Sequence, residues 1–200
     1  MHGGTTACSG CGIDLPAAES VVPEVDASAA CTLVHGEILG FQVQHPVMLR
    51  YHQMTADAYT AQHAGGATPL LRVGYALAGL WLSIEHGFSG EDVRSIHRRM
   101  GRPTAAWPVF EPPRPPQRWL TVVDVAEAGV RQRSERGHAK AVSAWAESVW
   151  ETWQRERPGT DDEVERLLAA VFLDGTTGGR LHGTIGAASA VHRLHGLLQA

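Results

Sequence analysis

Apolar residues recur at helical spacing in two long stretches, residues 69–86 and 135–157. Apolar positions three, four and seven residues apart line one face of an α-helix. The first stretch has a broad apolar face, as expected of a central helix. The second stretch repeats His138, Val142, Trp145, Val149 and Trp153. Both patterns therefore predict helices that pack in a core.

A third stretch, residues 46–63, has helical spacing but carries polar groups along one face. His52, Thr55, Tyr59 and His63 fall at positions i, i+3, i+7 and i+11. Eleven residues at about 1.5 Å rise separate the two histidines by about 16 Å, so they cannot share one metal ion. This polar face therefore predicts two sites, one at each end of the helix.

Capping residues and helix breakers predict the remaining elements. Helices are predicted at residues 30–43, 90–100, 121–128, 160–173 and 187–199. Ser28 can cap the helix predicted at residues 30–43, and Gly87 ends the helix predicted at residues 69–86. No strand pair is evident.

Six prolines between residues 101 and 118 predict a stiff, non-helical connector. The run PPRPP in this segment could instead be a polyproline II interaction motif. The whole pattern predicts an all-α helical bundle. We place one domain at residues 1–158 and a helical, glycine-containing extension at residues 159–200.

Composition narrows the classes of partner. Apolar residues make up 44% of the chain, and the net charge of −4 offers no basic surface for nucleic acid. The N-terminus lacks the basic and apolar regions of a signal peptide. The apolar run at residues 73–84 is too short to cross a bilayer. We expect a cytoplasmic protein with no nucleic-acid or membrane partner, and the oligomeric state stays open.

The three cysteines favour a metal site over disulfides. Their number is odd and no export signal is present, which argues against a disulfide framework. Cys8 and Cys11 form a C-x-x-C pair with Gly10 and Gly12, which is the pattern of a zinc knuckle. Three ordinary buried thiols are the alternative.

Three elements of the sequence also occur together in a known family. They are Cys8-Ser9-Gly10-Cys11-Gly12 with a later Cys31, the run HQMTADAYTAQH at residues 52–63, and a tryptophan-rich helix at residues 138–153. Through them the chain resembles an uncharacterised bacterial family, a domain of unknown function, over roughly residues 5–155. That family has C-x-x-C-G, a helix-start cysteine and H-x-x-T-x-D-A-Y-x-x-Q-H. This chain differs in Ala64, where the family has proline, in lacking a tryptophan after Cys31, and in its extension. The resemblance implies no activity, since none is assigned to the family.

The thiol count and the helix register predict one zinc site. A structural zinc ion takes four ligands, commonly four thiolates or three thiolates and one imidazole. Helices 30–43 and 46–63 share a short turn near residue 45, so antiparallel packing puts Cys31 level with about residues 59–63. The predicted ligands are Cys8, Cys11, Cys31 and His63. His35, which lies outside the family pattern, is the rival fourth ligand, and His52 is a further candidate.

The other end of the polar face predicts a candidate catalytic site. The same register places His52 level with about Ile38, one residue from Glu37. A glutamate facing a histidine can orient the imidazole for general-base work, or the two side chains could bind a second metal ion. Tyr59 could then donate a proton, and Asp57 could reach His138. The predicted catalytic residues are His52, Tyr59, Glu37 and His138. A buried polar network that fixes the helix register is the alternative.

These sites predict a small zinc metalloenzyme that acts on a small molecule by histidine acid/base chemistry. The alternative is a non-enzymatic, zinc-stabilised module that binds a partner protein through the proline-rich connector or the extension. The sequence leaves the reaction and the substrate open.

Overall fold

The computed structural model describes residues 4–18, 23–100, 108–116 and 119–173, together with Val191 and Gly196. Most of these residues are helical, as predicted, and one small sheet accompanies the helices. The α-helices are α1 (Ala29–Gln44), α2 (His52–Gln62), α3 (Leu70–His86), α4 (Gly90–Met100), α5 (Val122–Val125), α6 (Glu135–Glu156) and α7 (Thr160–Leu173). The glycine-rich run 174–186 lies outside the described residues, and so does the predicted helix 187–199 except for Val191 and Gly196.

The small sheet corrects the expectation that the chain has no strand pair. Strands β1 (Thr5–Ala7) and β2 (Asp14–Pro16) pair antiparallel, with Thr6 opposite Leu15. Each strand has only three residues, and β1 is exposed along its whole length. Such strands show no alternation of apolar and polar residues, so the sequence pattern could not indicate them. The turn between them holds the C-x-x-C pair.

The predicted helix 46–63 is wrong in its first part. Residues Pro46–Tyr51 form a 3₁₀ helix, and α2 begins only at His52. Six residues of 3₁₀ helix make about two tight turns, so the chain reverses over a longer stretch than a turn at residue 45. Gln42 rather than Ile38 therefore lies opposite His52, and His52 Nδ1 is 3.2 Å from Gln42 Oε1.

Local capping explains where several helices begin and end. The Ser28 hydroxyl accepts a hydrogen bond from the Cys31 backbone N–H at 3.2 Å, as predicted. Gly87 ends α3 in the left-handed region, with φ of 68°. Thr121 and Asp124 form a capping box before α5, which continues as a π-helix at Ala126–Arg131. These caps fix the helix boundaries near the candidate sites.

The core forms where α2 packs between α3 and α6. The predicted face of α6, from His138 to Trp153, is fully buried, as is the centre of α3 around Leu80. Three tryptophans of α6 fill this core, and each indole N–H has a partner. Trp145 donates to Gln62 at 3.1 Å, Trp150 to Glu85 at 2.6 Å, and Trp153 to the Ala61 carbonyl at 3.1 Å. Trp145 and Trp153 therefore tie α6 to α2, and Trp150 ties it to α3. Truncating a buried tryptophan costs about 3–5 kcal/mol.

The chain on either side of α6 packs against the same core. Residues 108–116 are non-helical, as predicted, and Phe110 is buried against the edge of Trp153. The rest of the predicted connector, 101–107 and 117–118, lies outside the described residues. Val164 and Leu168 of α7 are buried as well, and the predicted boundary at residue 158 stays a prediction.

Within the described part of the chain, no helix has the length and apolar content that a membrane crossing requires.

Candidate metal centre

The turn between β1 and β2 directs two cysteines to the protein interior. The Cys8 N–H donates to the Ile13 carbonyl, and the Gly12 N–H donates to the Cys8 carbonyl, both at 2.8 Å. Gly12 has φ of 74°, a left-handed conformation that glycine adopts without strain. Cys8 and Cys11 are 2% and 3% exposed, so this hairpin buries both thiols.

Close contacts fix this turn against the rest of the fold. A Cβ on Gly10 would lie 2.6 Å from His63 Cδ2, so only glycine allows the turn to lie this close to the histidine. The Trp119 indole N–H donates to the Cys11 carbonyl at 2.9 Å. The Ser9 hydroxyl donates to Asp26 Oδ1 at 2.6 Å. The turn is therefore anchored to segments before α1, after α2 and before α5.

Two helix ends bring Cys31 and His63 to the same place. Cys31 lies in the first turn of α1, and His63 caps the C-terminus of α2. Both side chains are fully buried. The Cys31 sulfur lies 3.3 Å from His63 Nε2 and 3.9 Å from the Cys11 sulfur. The ligand atoms of Cys8, Cys11, Cys31 and His63 all lie within 4.8 Å of one another.

Two of these separations are close to the edges of a metal tetrahedron. With metal–sulfur and metal–nitrogen bonds of about 2.3 and 2.0 Å, the sulfur–sulfur edge is about 3.8 Å and the sulfur–nitrogen edge about 3.5 Å. The observed 3.9 Å and 3.3 Å lie close to these values. The four side chains could therefore close around one metal ion.

Hydrogen bonds around the group favour the forms of His63 and Cys8 that bind a metal. His63 Nδ1 donates its proton to the Tyr59 carbonyl at 2.7 Å, because a carbonyl can only accept. This bond leaves Nε2, the nitrogen nearest Cys31, for a metal. The Ser28 backbone N–H donates to the Cys8 sulfur at 3.3 Å, which favours a thiolate there.

The acid–base state of the group makes metal binding compete with protons. Hydrogen bonds with Cys11 and Cys8, together with burial, raise the pKa of Cys31. Hydrogen bonds with Cys11 and Cys31 lower the pKa of Cys8. Burial acts to lower the pKa of His63, but hydrogen bonds with Cys11 and Cys8 outweigh it and raise the pKa to about 9. A metal ion must therefore displace protons from Cys31 and His63.

The rival ligand His35 has a different place. Its ring stacks on Tyr59, with centroids 3.8 Å apart and planes within 2°, and it does not belong to the four-residue group. Burial lowers the pKa of His35 to about 3.

Tyr59 also packs on the His63 ring at 4.3 Å and shares a hydrogen bond of 3.1 Å with the Thr32 hydroxyl. Tyr59 therefore lies at the metal end of α2 rather than beside His52.

At the other end of α2, one glutamine connects the polar groups. The Thr55 hydroxyl donates its single proton to the Tyr51 carbonyl at 2.9 Å, so it must accept from Gln42 Nε2 at 2.7 Å. This fixes the orientation of the amide. Gln42 Oε1 then accepts from His52 Nδ1 at 3.2 Å, and Gln42 Nε2 donates to His138 Nε2 at 3.0 Å. The amide therefore joins α1, α2 and α6.

Burial disfavours the charged form of both histidines of the network. Burial, followed by the charge of His45, lowers the pKa of His138 to about 4. Burial and the nearby Arg94 lower the pKa of His52. His138 also lies against the π-helix, where a Cβ on Gly129 would come 2.6 Å from its Nδ1. The structure thus connects His52 to His138 through Gln42, which was not among the predicted site residues.

A sequence signal for Gln42 does exist. It falls eleven, eight and four residues after Cys31, Val34 and Ile38, which are all buried on one face of α1. A glutamine in register with buried residues must satisfy its amide inside the protein. The spacing alone could therefore have marked Gln42 as part of a network, although not its partners.

Glu37 and Asp57 differ most from the expected arrangement. Glu37 is exposed and lines a groove beside α1, while His52 hydrogen-bonds to Gln42. Asp57 does not extend toward His138 as expected. Its carboxyl accepts from Gln53 at 2.9 Å and faces Gly79, and burial raises its pKa well above the ordinary value. The longer turn before α2 accounts for the partner of His52, because it shifts the register of α2 against α1. Asp57 differs for another reason, since it lies on the side of α2 that packs against α3.

The sequence profile of one family matches most of the chain. It is described as a family of unknown function, DUF5946, and the match covers residues 6–154. The chain belongs to this family, and the matched range includes the four clustered ligands and Gln42. No curated protein and no solved structure matches the chain.

Proposed function

We propose that this member of the DUF5946 family is a zinc protein, in which Cys8, Cys11, Cys31 and His63 bind one structural zinc ion. The observation that carries the proposal is the convergence of four buried ligand atoms within 4.8 Å. Three sulfurs and one imidazole nitrogen suit zinc better than the oxygen-binding cations.

A structural rather than catalytic role follows from the ligand number. Catalytic zinc sites keep one position for water or substrate, whereas four protein ligands close the sphere. When bound, zinc would link the β1–β2 hairpin to the start of α1 and the end of α2. The hairpin has only two three-residue strands, and such a small sheet is marginally stable by itself. The ion would therefore stabilise the N-terminal segment on the helical core.

The acid/base enzyme expected from the sequence has weaker support. Its four candidate residues occupy three places: His52 and His138 on the buried amide, Tyr59 against His63, and Glu37 on an exposed groove. A general base must reach the proton it removes from a substrate, whereas His138 is fully buried. We therefore favour the zinc-stabilised binding module, and the catalytic role of these residues stays a prediction.

Metal analysis tests the proposal. We expect about one equivalent of zinc per chain in protein purified under reducing conditions without chelator. Cobalt substitution should give the absorption of a tetrahedral site with three thiolates. The His63→Gln variant should lose the metal, and His35→Gln, its matched control, should keep it. Less than about half an equivalent in the wild-type protein, or retention of the metal by His63→Gln, would overturn the assignment.

A further inference from the structure

A groove lies between the second half of α1 and the turn after the π-helix. Its volume of about 590 Å³ falls within the range of about 300–1,000 Å³ typical of small-molecule sites. Phe41 and Val130 supply apolar lining, while Glu37, His45 and Arg133 supply polar groups. None of these residues belongs to the metal group, so the groove is a separate feature of the fold.

The backbone at Arg133 is held in an unusual conformation. Arg133 has φ of 49° and is the only non-glycine residue in the left-handed region among the described residues. Its N–H donates to the Val130 carbonyl at 3.2 Å, and the Ser134 N–H donates to the Gly129 carbonyl at 2.9 Å. Strained residues and π-helices both concentrate at ligand sites. Here they place a guanidinium group at the groove.

His45 presents a defined hydrogen-bond acceptor on the same groove. Its Nδ1 donates to the Phe41 carbonyl at 2.8 Å, so the neutral imidazole carries its lone pair on Nε2. The imidazole stacks on the Phe41 ring, with centroids 4.0 Å apart, and this contact fixes its orientation. A ligand with an N–H donor can therefore bind to Nε2.

Opposite charges line the groove without neutralising one another. Glu37 comes from α1 and Arg133 from the turn after the π-helix, and both are exposed. Within the described part of the chain, the ion pairs involve neither of them. A ligand that carries both charges could bind the two groups together.

We propose that this groove binds a small zwitterion with an apolar body, of the class of an apolar dipeptide. Its carboxylate would accept two hydrogen bonds from the Arg133 guanidinium. Its ammonium group would donate to the Glu37 carboxylate, and its peptide N–H would donate to His45 Nε2. Its apolar side chains would pack against Phe41 and Val130. The site requires no metal, so it stands or falls independently of the zinc assignment.

Calorimetric titration of the full chain, as purified, with the dipeptide valyl-phenylalanine tests the proposal. We expect binding in the millimolar range or tighter. Acetylating the amino end or amidating the carboxyl end should each weaken binding about tenfold, since each change removes a charge-assisted contact. Absence of binding by the unmodified dipeptide, or equal binding of all three forms, would overturn the proposal.

Two groove variants test which side chain binds each end of the dipeptide. Arg133→Gln should weaken binding about tenfold and then be insensitive to amidation, while Glu37→Gln should be insensitive to acetylation. Arg98→Gln and Glu91→Gln, at exposed positions of α4, are the matched controls and should bind like the wild type. Equal weakening in the controls, or full sensitivity to both modifications in both groove variants, would show that the dipeptide binds elsewhere.

Discussion

The two ends of α2 use histidine in opposite ways. At the C-terminal end, His63 meets three cysteines, and hydrogen bonds with thiols raise its pKa to about 9. At the N-terminal end, His52 and His138 meet a neutral amide, and burial lowers the pKa of His138 to about 4. The same side chain is therefore poised to exchange a proton for a cation at one end and stays uncharged at the other.

The difference lies in the partners rather than in the burial. His63 and His138 are both fully buried, yet only His63 has ionisable sulfurs within reach. A buried cluster of thiols can hold its negative charge only with a cation, whereas an amide needs none. The charge of the thiol end therefore depends on a bound cation or proton, whereas the amide end carries no charge to balance. Experiments that disturb one end at a time can test this contrast.

Metal removal should have the largest effect, and only at the thiol end. We expect Cys31→Ser or a strong chelator to lower the free energy of unfolding by about 4 kcal/mol or more, as for any ligand present at 1,000 times its dissociation constant. Urea unfolding with and without metal measures this change.

Hydrogen exchange shows where the loss occurs. The amides of residues 4–18 should lose protection when the metal leaves, and those near His138 on α6 should keep it, because the amide network needs no cation. Equal loss of protection at both ends would mean that the two ends fold as one unit, and the contrast would fail.

Replacing the amide should have a smaller but distinct effect. Gln42→Ala leaves Thr55, His52 and His138 without their shared partner, so we expect a loss of about 2–4 kcal/mol with the metal content unchanged. Urea unfolding and metal analysis of the same preparation measure both quantities. Gln44→Ala, an exposed neighbour on α1, is the control and should change stability by less than about 0.5 kcal/mol. A loss of metal in Gln42→Ala would contradict the independence of the two ends.

The sequence predicted best those features that depend on local chemistry. Apolar spacing located α3 and α6, and Ser28 and Gly87 marked helix ends, because faces and caps are properties of a few neighbouring residues. Cys8, Cys11, Cys31 and His63 were grouped correctly in space because thiols have few alternative uses and zinc needs four ligands.

The features that the sequence did not indicate depend on tertiary register. The 3₁₀ helix before α2 has no local signal that separates it from an α-helix, yet it shifts the partner of His52 from Glu37 to Gln42. Tyr59 shares a helical face with His52, but its ring lies on His63 and His35, since seven residues carry it about 10 Å along α2. A shared face therefore indicates common exposure to one neighbour, and not a common site.

Acidification should destabilise the fold through His138, at the amide end, by a smaller amount. His138 has a folded pKa of about 4, below the ordinary value of 6.5, so the unfolded chain binds its proton first as the pH falls. Its contribution to stability is thus fully present above about pH 6.5 and is lost as the pH falls toward 4. Between about pH 7 and pH 5 this amounts to about 2 kcal/mol. Comparing urea unfolding of the wild type and His138→Gln across this range isolates the effect, since both proteins keep the acid-sensitive thiol end. The wild type should lose about 2 kcal/mol more than the variant, and parallel losses would show that His138 is free to take up a proton in the folded state.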